Sequence, residues 1–407
     1  MCILVAFMPK NSFKGGEPGG DGTNGNRGNR GNRGTAKTRF TRMLQKVAGE
    51  KKYQASFTDS VAFGSYGNYK TSDLSSSWKY CSDGINLDVL LGVHSTDTPN
   101  YCQGAFAFVA VHPTMGIVVS RDVMGISPLH IGIDNGNMWF ASELKALDHC
   151  SWHNPFPIGS KYDQTTYSLI EQFVPTYDRN LFNVLRLSVD KCLNVQVPWG
   201  VPWGVLLSGG LHSSIISSLT RFCDRPHGYP LLHTFSIGLE NSIELIACKY
   251  VAREIRSIHH KITFTVEEGL NTMVEAVHVA ESSDLNTVRK CIPILILAKH
   301  IAASGVKVVL CGLGANEIFS DETLFTGNII NKCMRSQGVQ CLVPFLTSSV
   351  IHMANTGLGR KGMKDFFKDC VPKYTIQTRP DHRWTEACEN YGEHKLRLIY
   401  NTLYPGR

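Results

Sequence analysis

The feature that most constrains this chain is an apolar run that breaks on glycines and resumes as a helix, and it occurs twice. GVLL leads into Ser208-Gly209-Gly210-Leu211-His212-Ser213-Ser214 and then IISSLTRF, while VKVVL leads into Cys311-Gly312-Leu313-Gly314. Between them LLHTFSIGL and ITFTV read as buried strands. ELIACKYVAREI, EEGLNTMVEAVHVA and PILILAKHIAASG carry helical spacing. Strands alternating with helices at this spacing predict a parallel sheet covered on both faces, an α/β fold. Ligands of such sheets bind beyond the carboxyl ends of the strands, where both glycine turns fall.

The N-terminal part has a different texture. From about Phe57 to Leu147 short apolar runs alternate with turns: GAFAFVAV, GIVVSRD, and NMWFASELKAL passing from strand to short helix. Residues 150–198 carry Pro155, Pro157 and Pro175 and read as a connection. The predicted division is 1–165 for a first domain, 166–200 for a connection and 201–407 for a second domain. Two domains suit 407 residues.

Charge and composition narrow the function classes. The net charge is +7, but eleven Lys and Arg against three acids between Lys10 and Lys52 contribute +8. The remainder is therefore nearly neutral. Residues 14–38 hold a Gly/Asn/Arg repeat with too little apolar surface to offset ordering, and read as a flexible insertion. The tract lacks interleaved aromatics, so a nucleic-acid partner is not expected. There is no run of about 18 apolar residues to cross a membrane. The start, MCILVAFMPK, does not read as a secretory signal. Thirteen scattered cysteines without a CxxC pair read as reduced thiols in a cytoplasmic protein, with no zinc site. His259-His260 is the only adjacent histidine pair, and sequence neighbours rarely ligate one metal.

Glycines directly after a strand let the backbone approach a phosphate, to which hydroxyls and a helix N-terminus then donate. The heptamer 208–214 therefore points to pyrophosphate binding. SGGLHSS resembles the SGGLDSS loop of ATP-pyrophosphatase domains. In order, VLLSGGLHSSIIS, FSIGLENS, FTVEEGL, ESSDLNTVR, VVLCGLGANEIF and VPFL resemble the asparagine synthetase family. Upstream, GAFAF, SRDVMGISPLHIG and ASELKAL resemble that family's amidotransferase half, and LRLIYNTLYPGR its last helix.

The resemblance implies a class II glutamine amidotransferase with a four-layer αββα, N-terminal-nucleophile fold, followed by an adenine-nucleotide α-hydrolase-like domain. It implies hydrolysis of glutamine, passage of ammonia through a tunnel, and activation of aspartate by ATP and Mg²⁺ as an aspartyl-adenylate. The products would be asparagine, AMP and pyrophosphate, and a homodimer through the amidotransferase half is expected. Cys2 would be the nucleophile, its freed α-amine serving as local base. Gly64 and Asp83 would hold glutamine. Leu207, Ser208, Gly209, Gly210, Ser213, Ser214, Ile237, Cys311 and Gly312 would surround ATP. Arg289, with Thr287 before it, would meet phosphate or the intermediate.

Departures from the family pattern are concentrated at the chemistry. Ile3 stands where a glycine follows the nucleophile, and Phe63-Gly64-Ser65 replaces the NGE loop. No counterpart of the family's RGPD and RLAI segments is evident. Each lost polar partner of glutamine costs roughly 1–3 kcal/mol. In the synthetase half, His212 and Asn316 stand at the two Mg²⁺-binding aspartates, and Leu313 at the glutamate of aspartate activation. A lysine facing the phosphates aligns with Pro380 or Asp381. Mg²⁺ wants charged oxygen ligands, so no convincing metal set remains. Asp321 and Glu322 could replace the lost charge, and Glu317 reads equally as a helix N-terminal charge. The expected function is asparagine synthesis from glutamine or ammonia, strongly impaired, with a non-catalytic nucleotide-binding protein or partner subunit as the alternative.

Overall fold

The computed structural model describes residues 2–7, 53–57, 61–66, 72–73, 79–83, 98–102, 104–112, 116–134, 136–163, 166–169, 180–197, 200–222, 232–319, 327–355, 367 and 381–404. The repeat tract 14–38, Asp321, Glu322 and Pro380 lie outside them. The chain divides into two compact units, Met1–Glu171 without Gln103–Ala105, and Gln172–Arg407 together with those three residues.

The first unit holds β1 (Cys2–Phe7), β2 (Tyr53–Phe57), β3 (Val61–Tyr66), β4 (Ser72–Asp73), β5 (Lys79–Asp83) and β6 (Ala107–His112). After these come β7 (Gly116–Arg121), β8 (His130–Asp134), β9 (Asn137–Ala141), β10 (Trp152–Pro155), β11 (Ser160–Asp163) and β12 (Thr166–Leu169). They form two six-stranded antiparallel sheets, ordered β10-β8-β9-β1-β3-β2 and β12-β11-β7-β6-β5-β4. The sheets pack through a shared core. Ala107, Val109, Ile117 and Val119 of one meet Ile131 and Phe140 of the other, with Leu129 and Phe156. Alternate strand residues point inward, as two sheets packed face to face require. Among the described residues of this unit, helix is confined to two short segments, Thr98–Tyr101 and Leu144–Leu147.

The SRDVMGISPL segment is held by two buried charges. The Asp122 carboxylate is fully buried and accepts from the backbone N–H groups of Ser127, Ile126, Met124 and Phe106 at 2.9–3.3 Å. Burial raises its pKa, and the N–H groups of Ile126, Ser127 and Met124 together with the Arg121 charge work against the rise. Arg121 donates to the carbonyls of Gly125, Ser127 and Phe156. Together they fold the loop after β7 onto the strand that begins at Ala107.

The second unit opens with α1 (Leu181–Gln196), capped by the Asn180 side chain accepting from Phe182 N. Its residues Leu181, Val184, Leu185, Val189, Cys192 and Leu193 are buried in the same cluster as Val205, Ile215, Leu310 and Leu342. The part of 166–200 from Asn180 onward is thus a core helix rather than a free connection. The Leu181, Val184, Leu185, Val189, Cys192 spacing carries it.

There follow β13 (Trp203–Leu206), α2 (Leu211–Leu219), β14 (His233–Leu239), α3 (Ile243–Glu254), β15 (Ile258–Phe264), α4 (Val266–Asn271), α5 (Met273–Ala280), α6 (Leu285–Ala303), β16 (Val308–Leu310) and α7 (Ala315–Phe319). The described part closes with α8 (Gly327–Ser336), β17 (Gln340–Leu342), α9 (Ser348–Asn355), α10 (His382–Tyr391) and α11 (Glu393–Leu403). The five strands are all parallel, ordered β15-β14-β13-β16-β17. The order reverses at β13, so a crevice opens where β13 and β16 end.

The helix expected from Pro293 begins eight residues earlier, because Asp284 caps it by accepting from Thr287 N at 2.7 Å. The helix expected over 267–280 breaks at Thr272, whose hydroxyl bonds back to Glu268 O. β17 was not anticipated from sequence.

Candidate functional site

Both glycine turns stand at the carboxyl ends of neighbouring strands. The loop after β13 carries Leu207, Ser208, Gly209 and Gly210 into α2, and the loop after β16 carries Cys311 to Gly314 into α7. The two meet at Gly312. A Cβ there would lie 2.6 Å from Ser213 N and 2.7 Å from His212 C. Only glycine lets these backbones come so close.

Gly209 has φ +76°, and a Cβ on it would meet Ala247 Cβ at 2.9 Å on α3. Its positive φ and that contact together require glycine. Gly210 is the N-cap of α2 and makes no side-chain cap bond, so the helix N-terminus opens directly onto the loop.

The hydroxyls of the loop divide into two roles. Ser208 and Ser213 bond to each other at 3.0 Å, and Ser213 Oγ also accepts from Ser208 N. Ser208 is exposed and can turn to an anion. Ser214 is fully buried and its hydroxyl donates to Gly210 O at 2.7 Å, so it braces the turn from behind. Leu207 is buried, its N–H donating to Phe235 O. Ile237 lies half-buried on β14. Cys311 donates its N–H to Leu342 O, and its thiol is buried against that of Cys341.

At the positions expected to hold a cation, His212 is half-buried, its ring edge-on to Phe345, and Asn316 is exposed on the first turn of α7. Leu313 is half-buried between them in sequence. Among the described residues no group of three or more His, Cys, Asp or Glu could hold a metal ion. Nothing is described of the Glu317 side chain.

Arg289 stands on α6, its guanidinium donating to Asn286 Oδ1 at 3.0 Å. Thr287 is half-buried on the same turn, its N–H taken by Asp284. Asp381, one of the two residues expected at the lysine position, is an N-cap whose carboxylate pairs with Arg383 at 2.7 Å. The Arg383 guanidinium holds the Asp381 pKa below the usual carboxylate range. Arg383 also donates to Glu240 O just past β14. It is a cation near this rim that sequence reading missed. Cys248 was missed too: its thiol donates to Leu207 O at 3.0 Å.

In the first unit, register sets Cys2 opposite Tyr66 and Leu4 opposite Gly64, on neighbouring strands. Asp83 ends β5 in the other sheet, opposite Ala107, and β5 packs on both β1 and β3. The side chains of Cys2 and Asp83 lie outside the described residues.

An antiparallel two-sheet unit and a parallel nucleotide-type sheet with glycine turns at its switch point define an amidotransferase fold followed by an adenine-nucleotide α-hydrolase-like fold. Residues 71–149 match the glutamine amidotransferase domain family and residues 183–326 match the asparagine synthase family. Over these two regions the chain is similar to asparagine synthetases. It is 34% identical over 273 residues to asparagine synthetase [glutamine-hydrolyzing] 1 of Saccharomyces cerevisiae, covering 57% of this chain and 48% of that protein. To asparagine synthetase B [glutamine-hydrolyzing] of Escherichia coli it is 32% identical over 317 residues, covering 67% and 57%. The chain therefore spans about half the length of these relatives. A solved structure of NMN synthetase from Francisella tularensis is similar at 13% identity and a TM-score of 0.30, covering 56% of this chain and 94% of that one.

Proposed function

We propose that the second unit binds an adenine nucleotide at the β13–β16 switch point and that amidation of aspartate, the reaction its relatives' names imply, is strongly impaired here. The contact of Gly312 with the backbone of His212 and Ser213 carries the binding half of this reading. It closes the second loop onto the first turn of α2, which is where a pyrophosphate would take N–H donors. Ser208 and Ser213 would exchange their mutual bond for phosphate oxygens. Ser214 and Gly210 would hold the turn, while Leu207, Ile237, Cys311 and Gly312 would line the adenosine side. Arg289 would meet the α-phosphate or the acyl-adenylate.

Magnesium does not fit this donor set. Imidazole and amide at His212 and Asn316 supply no negative oxygen, and Mg²⁺ binds through hard, charged oxygens. Cation stabilisation of a departing phosphate is worth several kcal/mol, and about 1.4 kcal/mol is a factor of ten in rate. Leu313 likewise has no proton to give or take. The site thus favours holding nucleotide over consuming it, which makes a non-catalytic nucleotide-binding protein the second reading.

Glutamine hydrolysis belongs to the same proposal. Cys2 on central β1 and Asp83 on β5 are the retained candidates, Gly64 their neighbour on β3. Nitrogen would come from glutamine or directly from ammonia. A reducing, cytoplasmic setting is the expectation from the scattered cysteines, nine of which are buried among the described residues. Among the described residues no helix is long and apolar enough to cross a membrane. A homodimer through the amidotransferase unit remains an expectation from the resemblance.

Titrating the full chain with ATP, in the presence and absence of Mg²⁺, tests the reading. Saturable binding whose Kd changes less than threefold with Mg²⁺ is expected. No binding, or binding that needs Mg²⁺, overturns it.

A further inference from the structure

Leu207 is the last residue before the glycine loop, and both of its backbone polar groups are held from outside the strand that carries it. Its N–H donates to Phe235 O on β14 at 2.8 Å. β13 ends at Leu206, so the Leu207 carbonyl lies past that strand, and the buried Cys248 thiol of α3 fills it at 3.0 Å. The same stretch of α3 meets the next turn, since a Cβ on Gly209 would touch Ala247 Cβ, Glu244 O and Cys248 N within 3.2 Å.

Cys248 is itself the end of a chain of bonds. Ser236 on β14 bonds the Cys248 sulfur, and Ser236 Oγ lies 3.2 Å from His259 Nε2 on β15. His259 Nδ1 lies 3.0 Å from Thr234 Oγ1, which is 2.8 Å from Ser257 Oγ. The Leu207 carbonyl can only accept, so the thiol must donate. Ser236 then donates to the sulfur, and His259 donates from Nε2 to Ser236. With the His259 proton on Nε2, Nδ1 accepts from Thr234, and the direction is consistent from Thr234 to the Leu207 carbonyl, while Ser257 beside Thr234 also donates to Ala252 O at 3.3 Å. The neutral ring suits its setting, because burial and the neighbouring His260 lower the His259 pKa to about 4. The thiol stays protonated, burial pushing its pKa up to about 12.

We propose that Cys248 is a positioning residue for the nucleotide loop: its thiol fixes the Leu207 carbonyl, and with it the direction in which Ser208, Gly209 and Gly210 leave the sheet, while the chain from His259 through Ser236 fixes the thiol. The role in binding rests on the nucleotide reading above; the role in ordering the loop does not. Sequence alone ranks Cys248 as one of thirteen scattered cysteines. Buried cysteines act most often as small apolar residues. The bond to Leu207 O and the contact at Gly209 set this one apart.

The test uses the full chain with Cys248→Val, which removes the S–H and keeps the volume close, and Cys248→Ser, which keeps a donor. Amide hydrogen exchange at Ser208 and Gly210 is read without nucleotide, and ATP affinity is read separately. Val is expected to speed exchange at both amides at least tenfold and to weaken ATP about tenfold, with Ser restoring both to within threefold of the wild type. A purely packing role predicts the opposite order, since Val suits an apolar site better than Ser. Exchange unchanged in Cys248→Val overturns the proposal whatever ATP does. Faster exchange in a protein that fails to bind ATP in its wild-type form supports the positioning role and defeats the nucleotide reading instead. Ser236→Ala breaks the chain one bond earlier without touching α3. It should move exchange in the same direction, and serves if Cys248→Val does not fold.

Discussion

Trp384 donates its indole N–H to the main-chain carbonyl of Arg289 at 3.0 Å. That carbonyl is open because the residue four positions on, Pro293, has no N–H to give it. A proline inside α6 would otherwise leave a partly buried acceptor without its helical donor, and the first helix of the C-terminal pair closes the gap. Trp384 also packs edge-on to Phe264 and against Gly269, so one side chain ties α10 to β15, α4 and α6. Arg289, the candidate phosphate contact, thus sits on a turn whose backbone is held from outside the helix.

Trp384→Phe should therefore cost about 1–3 kcal/mol through the unpaired carbonyl, beyond the smaller loss of ring area. Pro293→Ala restores the helical N–H, so the same Trp384 change made in that background should cost less by about 1 kcal/mol. Urea denaturation of the four proteins of the cycle measures this. Additive costs would mean the indole bond contributes nothing specific.

The meeting of the two loops at Gly312 gives a second expectation. Gly312→Ala places a methyl 2.6 Å from Ser213 N, against backbone that has no rotamer to move. ATP affinity should fall at least tenfold. Gly305→Ala is the control, because its φ of +83° is strained for alanine but nothing lies within 4 Å. It should cost about 1 kcal/mol of stability and leave ATP affinity alone. Calorimetric titration alongside thermal melts separates the two.

Restoring carboxylates addresses the cation directly. His212→Asp with Asn316→Asp should make ATP binding at least tenfold tighter with Mg²⁺ than without it, whereas the natural residues should show little difference. If the double variant stays indifferent to Mg²⁺, the reading of these two positions as former metal ligands is wrong.

The His259 environment predicts a pH dependence with a definite sign. Its folded pKa lies near 4, below the ordinary 6.5, so the unfolded chain binds the proton more readily between those values. The stability it contributes is present above pH 6.5 and is lost as the pH falls towards 4. The full shift corresponds to about 3 kcal/mol, and the ring's partial exposure reduces this to roughly 2 kcal/mol. His259→Gln should flatten the difference in unfolding free energy between pH 7 and pH 4.5. An unchanged difference would place the histidine outside the acid response.

Much of the second unit is legible from sequence because its signals are local. The runs that become β13, β14 and β16 are short and apolar, and glycines mark where the backbone must turn sharply or approach another chain segment. The apolar spacing of α1 lies beside three prolines whose breaking signal dominates a local reading. Pro293 reads as a first-turn residue of α6, and further in it is accommodated where Trp384 takes up the Arg289 carbonyl it leaves open. Arg383 and Cys248 illustrate what local signals cannot hold. Each acts on a backbone carbonyl far away in sequence, Glu240 O and Leu207 O, and no motif records a partner that is main chain. The antiparallel unit was visible as strands, but its two-sheet pairing depends on register between distant segments.

On the proposed reading this site holds nucleotide but lacks the charge that would drive aspartate activation. The most direct measurement supplies aspartate, ATP, Mg²⁺ and ammonium to the folded chain and follows pyrophosphate and asparagine together. Ammonium bypasses the glutamine half, so the result reports on His212, Leu313 and Asn316. The account predicts neither product above background from protein that binds ATP. Both products, formed at equal and sustained rates, would contradict it.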